Sequence, residues 1–395
     1  MIDITAIMVL GVITGVFTGL VPGIHPNTII FSSMPLYMSS DVGLNIYLVF
    51  ITGLSVSHTF HDFLPAIYLG APEAESALSA LPGAEMASRG RGKEAFVYTL
   101  YGGAYAVVMI ATMMPVLLLG LSRLYSAVMP FMEYILLFFL FFAVLSSDRE
   151  QGSLVVAALS GLLGVMAFRM PVNQKFVLMP VFSGLFAVPA VAGSLGGSGL
   201  PEQDEPEVDA GGSARGGFLG ALSGLFAGLM PGIGAAIATT FLSPLMGSRK
   251  DFLAGMGAIN TSDILTSFLT IYVLGKARSG AAITLQSLTE VTGSRAVLLG
   301  GASMLSAALT IPIALKAGDA VPGVIRSTGT DKVLAGVLLM IVLLSYYLTG
   351  PVGLLVLLTS SSIGSAAREV GNRQACMAVL LIPSVIQFSG LGTVI

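Results

Sequence analysis

Apolar residues run through the chain in long stretches separated by short turn-rich breaks. The first series lies near 5–21, 24–38, 43–61, 63–81, 95–121, 125–145, 152–168 and 176–194. A second lies near 216–230, 233–246, 252–274, 279–290, 294–315, 333–348, 351–366 and 374–393. Many of them approach the ~20 residues that a helix needs to cross a bilayer. Four are too short to cross alone, at 24–38, 63–81, 233–246 and 279–290, and read as half-helices or re-entrant hairpins. The pattern predicts an all-α polytopic membrane protein of about 10–12 spans, because only helices and closed barrels satisfy their backbone in lipid.

The two series are related. Gly15, Gly19, Pro22, Gly23 and Ile24 recur 209 positions later as Gly224, Gly228, Pro231, Gly232 and Ile233. The same offset carries Gly11 onto Gly220 and Pro35 onto Pro244. The chain therefore divides into a first membrane repeat (1–196), an acidic polar linker (197–213) and a second membrane repeat (214–395). Superposition of about 11–80 on about 220–290 is expected to bring Pro22 onto Pro231 and Asp62 near Asp263. An inverted relation is favoured over a parallel one, since alternating access needs equivalent half-gates on opposite sides.

Composition narrows the class. Hydrophobic residues make up 55% and charged residues 10%. That leaves too little polar surface for a soluble globule of 395 residues. A net charge of −3 without a basic stripe argues against nucleic acid. The single Cys376 excludes an intramolecular disulfide. Arg89, Arg91 and Lys93 make the loop 82–94 the best cytoplasmic candidate, with the linker on the same side. The expected location is the plasma membrane, multi-pass and in contact with membrane lipid; a homodimer is left open.

Candidate chemistry gathers at the interruptions. Each Pro-Gly-Ile break can end one helix and start another, presenting unpaired N–H groups and a positive dipole end to a cavity. Candidate substrate-binding residues are Pro22, Gly23, Ile24, His25, Asn27 and Thr28 in the first half. Pro231, Gly232, Ile233, Gly234, Asn260 and Arg278 are those of the second. Alternatively, the glycines and prolines merely set packing and kinks. Asp62 and Asp263 follow the breaks by 40 and 32 residues in apolar surroundings. Ionisable residues there are costly and suggest ion coupling, with helix capping as the alternative. His58 and His61 adjoin Asp62 and are candidates for the same role or for structural hydrogen bonding; metal binding is not expected. Arg278 could face an anion or belong to a loop pair with Lys276. No nucleophile elbow, Walker loop or paired catalytic carboxylates occur, so no enzyme activity and no cofactor are expected beyond Na⁺ or H⁺ as a coupling ion.

These breaks, and the run Leu81-Pro82-Gly83-Ala84-Glu85-Met86-Ala87-Ser88-Arg89-Gly90-Arg91-Gly92-Lys93-Glu94-Ala95, resemble the TctA-type large permease subunit of tripartite tricarboxylate transporters. The resemblance covers most of the chain. It implies a secondary transporter of a small organic anion, of the di- or tricarboxylate class, with two-fold internal repeats and a Pro-Gly turn at Pro82. In the family the partners are a small membrane subunit and a soluble binding protein. The chain is shorter than the usual large subunit and reads Pro-Gly-Ile-His-Pro-Asn at its first break, which leaves open whether it works without them. A translocase of a lipid-linked phosphate such as polyprenyl phosphate is the alternative, since a half-helix terminus binds carboxylate and phosphate alike.

Overall fold

The computed structural model describes residues 4–71, 80–174, 176–197, 199–209, 211–230, 233–242, 245–277 and 279–390. Regular structure among them is helical. The first half holds α1 (Ile4–Leu20), α2 (Pro26–Met38), α3 (Leu44–His61), α4 (Phe63–Tyr68), α5 (Ala80–Ser88), α6 (Gly92–Val128), α7 (Met132–Leu145), α8 (Glu150–Ala167), α9 (Leu178–Phe182) and α10 (Val188–Ala192). The second holds α11 (Ala214–Leu229), α12 (Ala235–Leu242), α13 (Arg249–Leu274), α14 (Gly280–Leu288), α15 (Gly293–Thr328), α16 (Thr330–Val370) and α17 (Ala378–Phe388). Among the described residues, four helical stretches are long and apolar enough to cross a membrane, at Gly92–Leu145, Glu150–Ala167, Gly293–Thr328 and Thr330–Val370. Large apolar side chains such as Leu119, Phe138, Val297 and Tyr347 stand exposed on them, as expected where lipid is the solvent. The protein is an all-α, multi-pass membrane protein.

Several boundaries differ from the hydropathy pattern. α3 and α4 are nearly one rod, because Asp62 keeps right-handed helical backbone between them. The segments 333–348 and 351–366 do remain two helices within α16, parted at Gly350, whose backbone is non-helical at φ 68°. Pro82 and Gly83 lie inside α5 rather than in a turn; proline is tolerated in the first turn, where its missing N–H would lack a partner anyway.

Glycine fixes the tightest packing. A methyl built on Gly11 or Gly15 would stand 2.5 Å from the carbonyl oxygen of Phe50 or Leu54, and one on Gly19 would stand 3.0 Å from that of His58. The numbers rise together, so α1 and α3 are parallel. In the second half Gly216, Gly220, Gly224 and Gly228 lie likewise against Asp251, Gly255, Ile259 and Asp263, so α11 and α13 are parallel too. Three glycines in α1 forgo about 3 kcal/mol of helix propensity relative to alanine. Backbone contact at small residues offsets that loss, since lipid offers no hydrophobic drive for helix association.

The halves interlock. α6 packs on α11 and α13, while α15 packs on α1 and α3. Phe96 meets Gly318, and Met114 meets Gly300, so α6 and α15 cross antiparallel. Deeper along the chain, α8 packs on α17 through Gly161 and Gly164 against Ile382 and Val379. Gly184 and Leu185 take the corresponding place against Ser360 and Gly364 of α16.

The linker defines one face of the molecule. Lys93 at the start of α6 pairs with Glu205 at 2.9 Å and with Asp319, near the end of α15, at 3.2 Å. Arg249 at the start of α13 reaches Glu85 at 3.0 Å. Met8, Val49 and Ala302 cluster instead around the starts of α3 and α15, at the other face. α3 and α13 therefore run in opposite senses. The linker is acidic, yet it is not simply solvated: Gln203 is buried, its Oε1 accepts from Gly92 N at 2.7 Å and its Nε2 donates to Ala87 O at 3.0 Å. Gln203→Ala is expected to strand a buried N–H and carbonyl and destabilise the α5–α6 corner by about 1–3 kcal/mol. Limited proteolysis within 199–209 would read it as faster cleavage; an unchanged rate would show that the linker rests on its ion pairs alone.

Candidate functional site

The first break builds itself from local chemistry. Ile24 N bonds Val21 O at 3.2 Å, closing a turn around Pro22, and Gly23 takes φ +91°. A side chain at Gly23 would be strained in that region of backbone space. The chain re-enters helix at Pro26, whose fixed φ suits the first helical position. His25 caps it: its Nδ1 accepts from Asn27 N at 3.1 Å. α2 thus begins at a buried residue, Pro26. In the second half α12 starts at Ala235, with Gly234 O accepting from Ile237 N and Ala238 N at 3.1 Å.

Both helix starts face one cavity of about 260 Å³. Its walls include His25 and Asn27 from the first break and Ile233 and Gly234 from the second. α3 contributes Ser55, His58, Thr59 and Asp62, and α13 contributes Asn260, Asp263, Ile264 and Ser267. In both helices these are positions i, i+3, i+4 and i+7, a single face. The two helices touch there. Thr59 Oγ1 and Thr261 Oγ1 are 3.3 Å apart, and Asn260 Nδ2 donates to Asp62 Oδ2 at 2.8 Å. Asp62 is buried and Asp263 partly so. His58 Nδ1 lies 3.1 Å from Thr18 Oγ1, and the His58 ring is 5.5 Å from that of His25. The start of α14 closes the cavity with Ser279, Gly280 and Ala281, and apolar groups of α9 and α17 line the remaining wall.

The structure thus gathers His25, Asn27, His58, Asp62, Ile233, Gly234, Asn260 and Asp263 around one space. Pro22, Gly23, Ile24 and Thr28 shape the break without lining the cavity. Pro231, Gly232 and Arg278 lie outside the described residues, as does Pro244. His61 points elsewhere: its Nδ1 donates to Ser57 O at 2.8 Å and its Cβ lies against Gly19. It shares helix α3 with His58 but packs in the seam with α1. Helix capping does not account for the carboxylates, since Asp62 makes no side-chain cap bond to α4 and Asp263 sits in the interior of α13.

The glycine contacts also revise which residues correspond. Gly15 lies on Leu54 and Gly224 on Ile259; Gly19 lies on His58 and Gly228 on Asp263. His58 therefore holds the place that Asp263 holds in the other seam, and Asp62 corresponds to Ser267. The equivalence expected of the two aspartates fails, for they follow the breaks by 40 and 32 residues. Four of those eight residues are extra chain in the first half, 39 from Gly19 to His58 against 35 from Gly228 to Asp263. The other four, about one helical turn, place Asp62 one turn beyond the position that Asp263 matches. Ser55, Thr59, Ser267 and Ser279 were not singled out from sequence. The signal was present in and just after α3, where Ser55, His58, Thr59 and Asp62 recur at i, i+3, i+4 and i+7. The apolar wall from α9 and α17 left no such trace.

Comparison with known proteins adds independent evidence. Residues 6–379 match the model of the family described as "Tripartite tricarboxylate transporter TctA family". An uncharacterized protein of Methanocaldococcus jannaschii is 27% identical to the chain over 397 aligned positions, covering 96% of this chain and 98% of that protein. No solved structure matches. A family match over nearly the whole length, on a multi-pass helical protein with a cavity at paired helix breaks, means that the chain belongs to the tripartite tricarboxylate transporter TctA family, a family of membrane transporters.

Proposed function

We propose that the protein is a secondary transporter of a small organic anion of the di- or tricarboxylate class, driven by a Na⁺ or H⁺ gradient. The anion is held between the two breaks, and Asp62 and Asp263 carry the coupling cation or proton. The observation that carries this reading is the cavity of about 260 Å³ where both helix starts and both aspartates meet. Helix N-termini attract a carboxylate through the dipole; at α2 that field acts without free N–H groups, since Pro26 has none and those of Asn27 and Thr28 are bonded to His25. Two aspartates in the same space repel it by several kcal/mol at low dielectric unless a cation or proton accompanies it. Attraction and repulsion together make binding of the anion and the cation mutually dependent, which is what coupling requires.

The two halves are best described as inverted copies. Supporting this are the opposed senses of α3 and α13, the antiparallel crossing of α6 and α15, and the shared i, i+3, i+4, i+7 face. The family assignment favours a soluble carboxylate and lends no support to a lipid-linked phosphate.

The test is uptake of labelled di- and tricarboxylates into proteoliposomes under an imposed Na⁺ or H⁺ gradient, with thermal stabilisation of the purified chain by the same anions as a second readout. Gradient-dependent flux by the chain alone would also dispense with the small membrane subunit and soluble binding protein. Flux indifferent to both gradients would remove the coupling. Neither flux nor stabilisation by any of the anions would remove the reading altogether.

A further inference from the structure

We infer that one carboxylate of the transported anion is bound at the N-terminus of α14, by the first-turn N–H groups of Gly280 and Ala281 together with the hydroxyl of Ser55. This rests on the transport reading above and names a subsite that neither helix break supplies. α14 is nine residues long, and Ser279 caps it by accepting Ala282 N at 3.2 Å, while Ser279 O accepts Ile283 N at 2.8 Å. Those two bonds leave Gly280 and Ala281 as first-turn donors with no acceptor inside the helix. Both residues line the cavity.

Ser55 is the independent observation. It lies on the cavity wall, only 2% exposed, and its Oγ has no hydrogen-bond partner. A hydroxyl in an apolar helix normally returns to a carbonyl of the preceding turn. Here Thr52 bonds Leu48 O, Thr59 bonds Val56 O, Ser303 bonds Leu299 O and Ser360 bonds Val356 O. Ser55 forgoes that bond, as do Ser57, Thr266, Ser306 and Thr310, but of these Ser55 alone lines the cavity; an unsatisfied buried hydroxyl costs about 1–3 kcal/mol. A ligand oxygen in the cavity recovers it. The helices are adjacent: α3 packs on α14, with Ile51, Leu54, Ala281 and Ala282 in one apolar cluster.

Asn27 explains why position 280 is glycine. A methyl built on Gly280 would overlap the Asn27 carboxamide, so the amide group at the start of α2 rests directly on the first residue of α14. The starts of two helices from opposite halves thereby converge, and Asn27 offers a further neutral donor beside Gly280. Ser55, Asn27, Gly280 and Ala281 offer neutral donors, which suits release as well as binding.

The experiment compares wild type with Ser55→Ala and the nearly isosteric Ser55→Cys in proteoliposomes, using radiolabelled citrate and succinate as probes. The expected result is a KM raised about tenfold for whichever probe the wild type transports, the scale of one lost charge-assisted hydrogen bond. The maximal rate and the dependence on the coupling ion should be unchanged. Gly280→Ala should raise KM in the same direction by pushing Asn27 off the helix start. Size-exclusion profiles verify folding, and Ser55→Cys keeps the volume if the alanine variant fails to assemble. Wild-type KM in both Ser55 variants, with wild-type transport intact, overturns the subsite and leaves the transport reading standing. A lowered maximal rate at unchanged KM assigns Ser55 to helix packing and likewise overturns it. Absence of citrate and succinate binding and flux in the wild type takes down both.

Discussion

Asp62→Asn and Asp263→Asn are expected to assemble normally and to lose gradient-driven uptake by about ten- to a hundredfold, the effect of removing one charge-assisted contact. The two should differ in kind. Asp62 Oδ2 accepts from Asn260 Nδ2 at 2.8 Å, and an asparagine there can still present an amide oxygen to that donor. Its loss is then of charge rather than of geometry, so Asp62→Asn tests coupling directly. Asp263 stands in the interior of α13 with its carbonyl against Gly228. Replacing its carboxylate changes the cavity wall while the seam with α11 remains. If both variants retain anion binding but no longer respond to an imposed gradient, the aspartates carry the driving ion. Wild-type driven rates in both would return the pair to a structural role and leave the driving ion without a site.

His58 and His61 show how far sequence alone can resolve such a cluster. Three residues apart on one helix, they read as a pair. Both meet α1, where Gly19 lies against the His61 Cβ and the His58 carbonyl, but only the His58 side chain, bonded to Thr18, also lines the cavity. That division depends on the rotation of α3 about its axis, set by Gly11, Gly15 and Gly19 on the partner helix. The glycine spacing was legible in sequence; the residues opposite each glycine were not. The same rotation explains the aspartates. Their places after the breaks, 40 and 32 residues on, suggested equivalence, whereas the seams match Asp263 with His58 and leave Asp62 one turn further along the same face.

The breaks themselves were legible because glycine and proline act locally. Gly23 at φ +91° and Pro26 at the first position of α2 need no knowledge of the rest of the chain. α14 was read as a short apolar segment, and its chemistry comes only from where its first residue lands. No periodicity signals that Gly280 lies under Asn27, 253 positions away. Gln203 is a similar case. A glutamine in an acidic, turn-rich stretch reads as solvated, and only the fold turns it into a buried link between Ala87 and Gly92.

Gly257→Val should prevent stable assembly, whereas Gly301→Ala should be neutral or stabilising by about 1 kcal/mol, the helix propensity difference between alanine and glycine. Gly257 lies in α13, which is clasped on one side by the glycine stripe of α11 and on the other by α6. A methyl on it would fall inside the van der Waals shell of Thr99 O, and one on Gly102 would do the same to Ala254 O. The two glycines face across one seam, each against backbone of the other helix. Backbone cannot rotate away as a side-chain tip can, so relief requires the helices to separate. Overpacking in ordinary cores costs about 1–3 kcal/mol; a β-branched residue against a fixed carbonyl should exceed that, against a total stability of about 5–15 kcal/mol. Gly301, in the interior of α15, has nothing within 4 Å of the position where a methyl would be added. Yield and monodispersity in detergent, followed by thermal unfolding, distinguish the two sites. Because α6 comes from the first half and α13 from the second, the seam also joins the halves. If Gly257→Val proves as stable as Gly301→Ala, the interlocked packing of α6 on α13 described above is wrong, and with it the wall on which Asn260 and Asp263 stand.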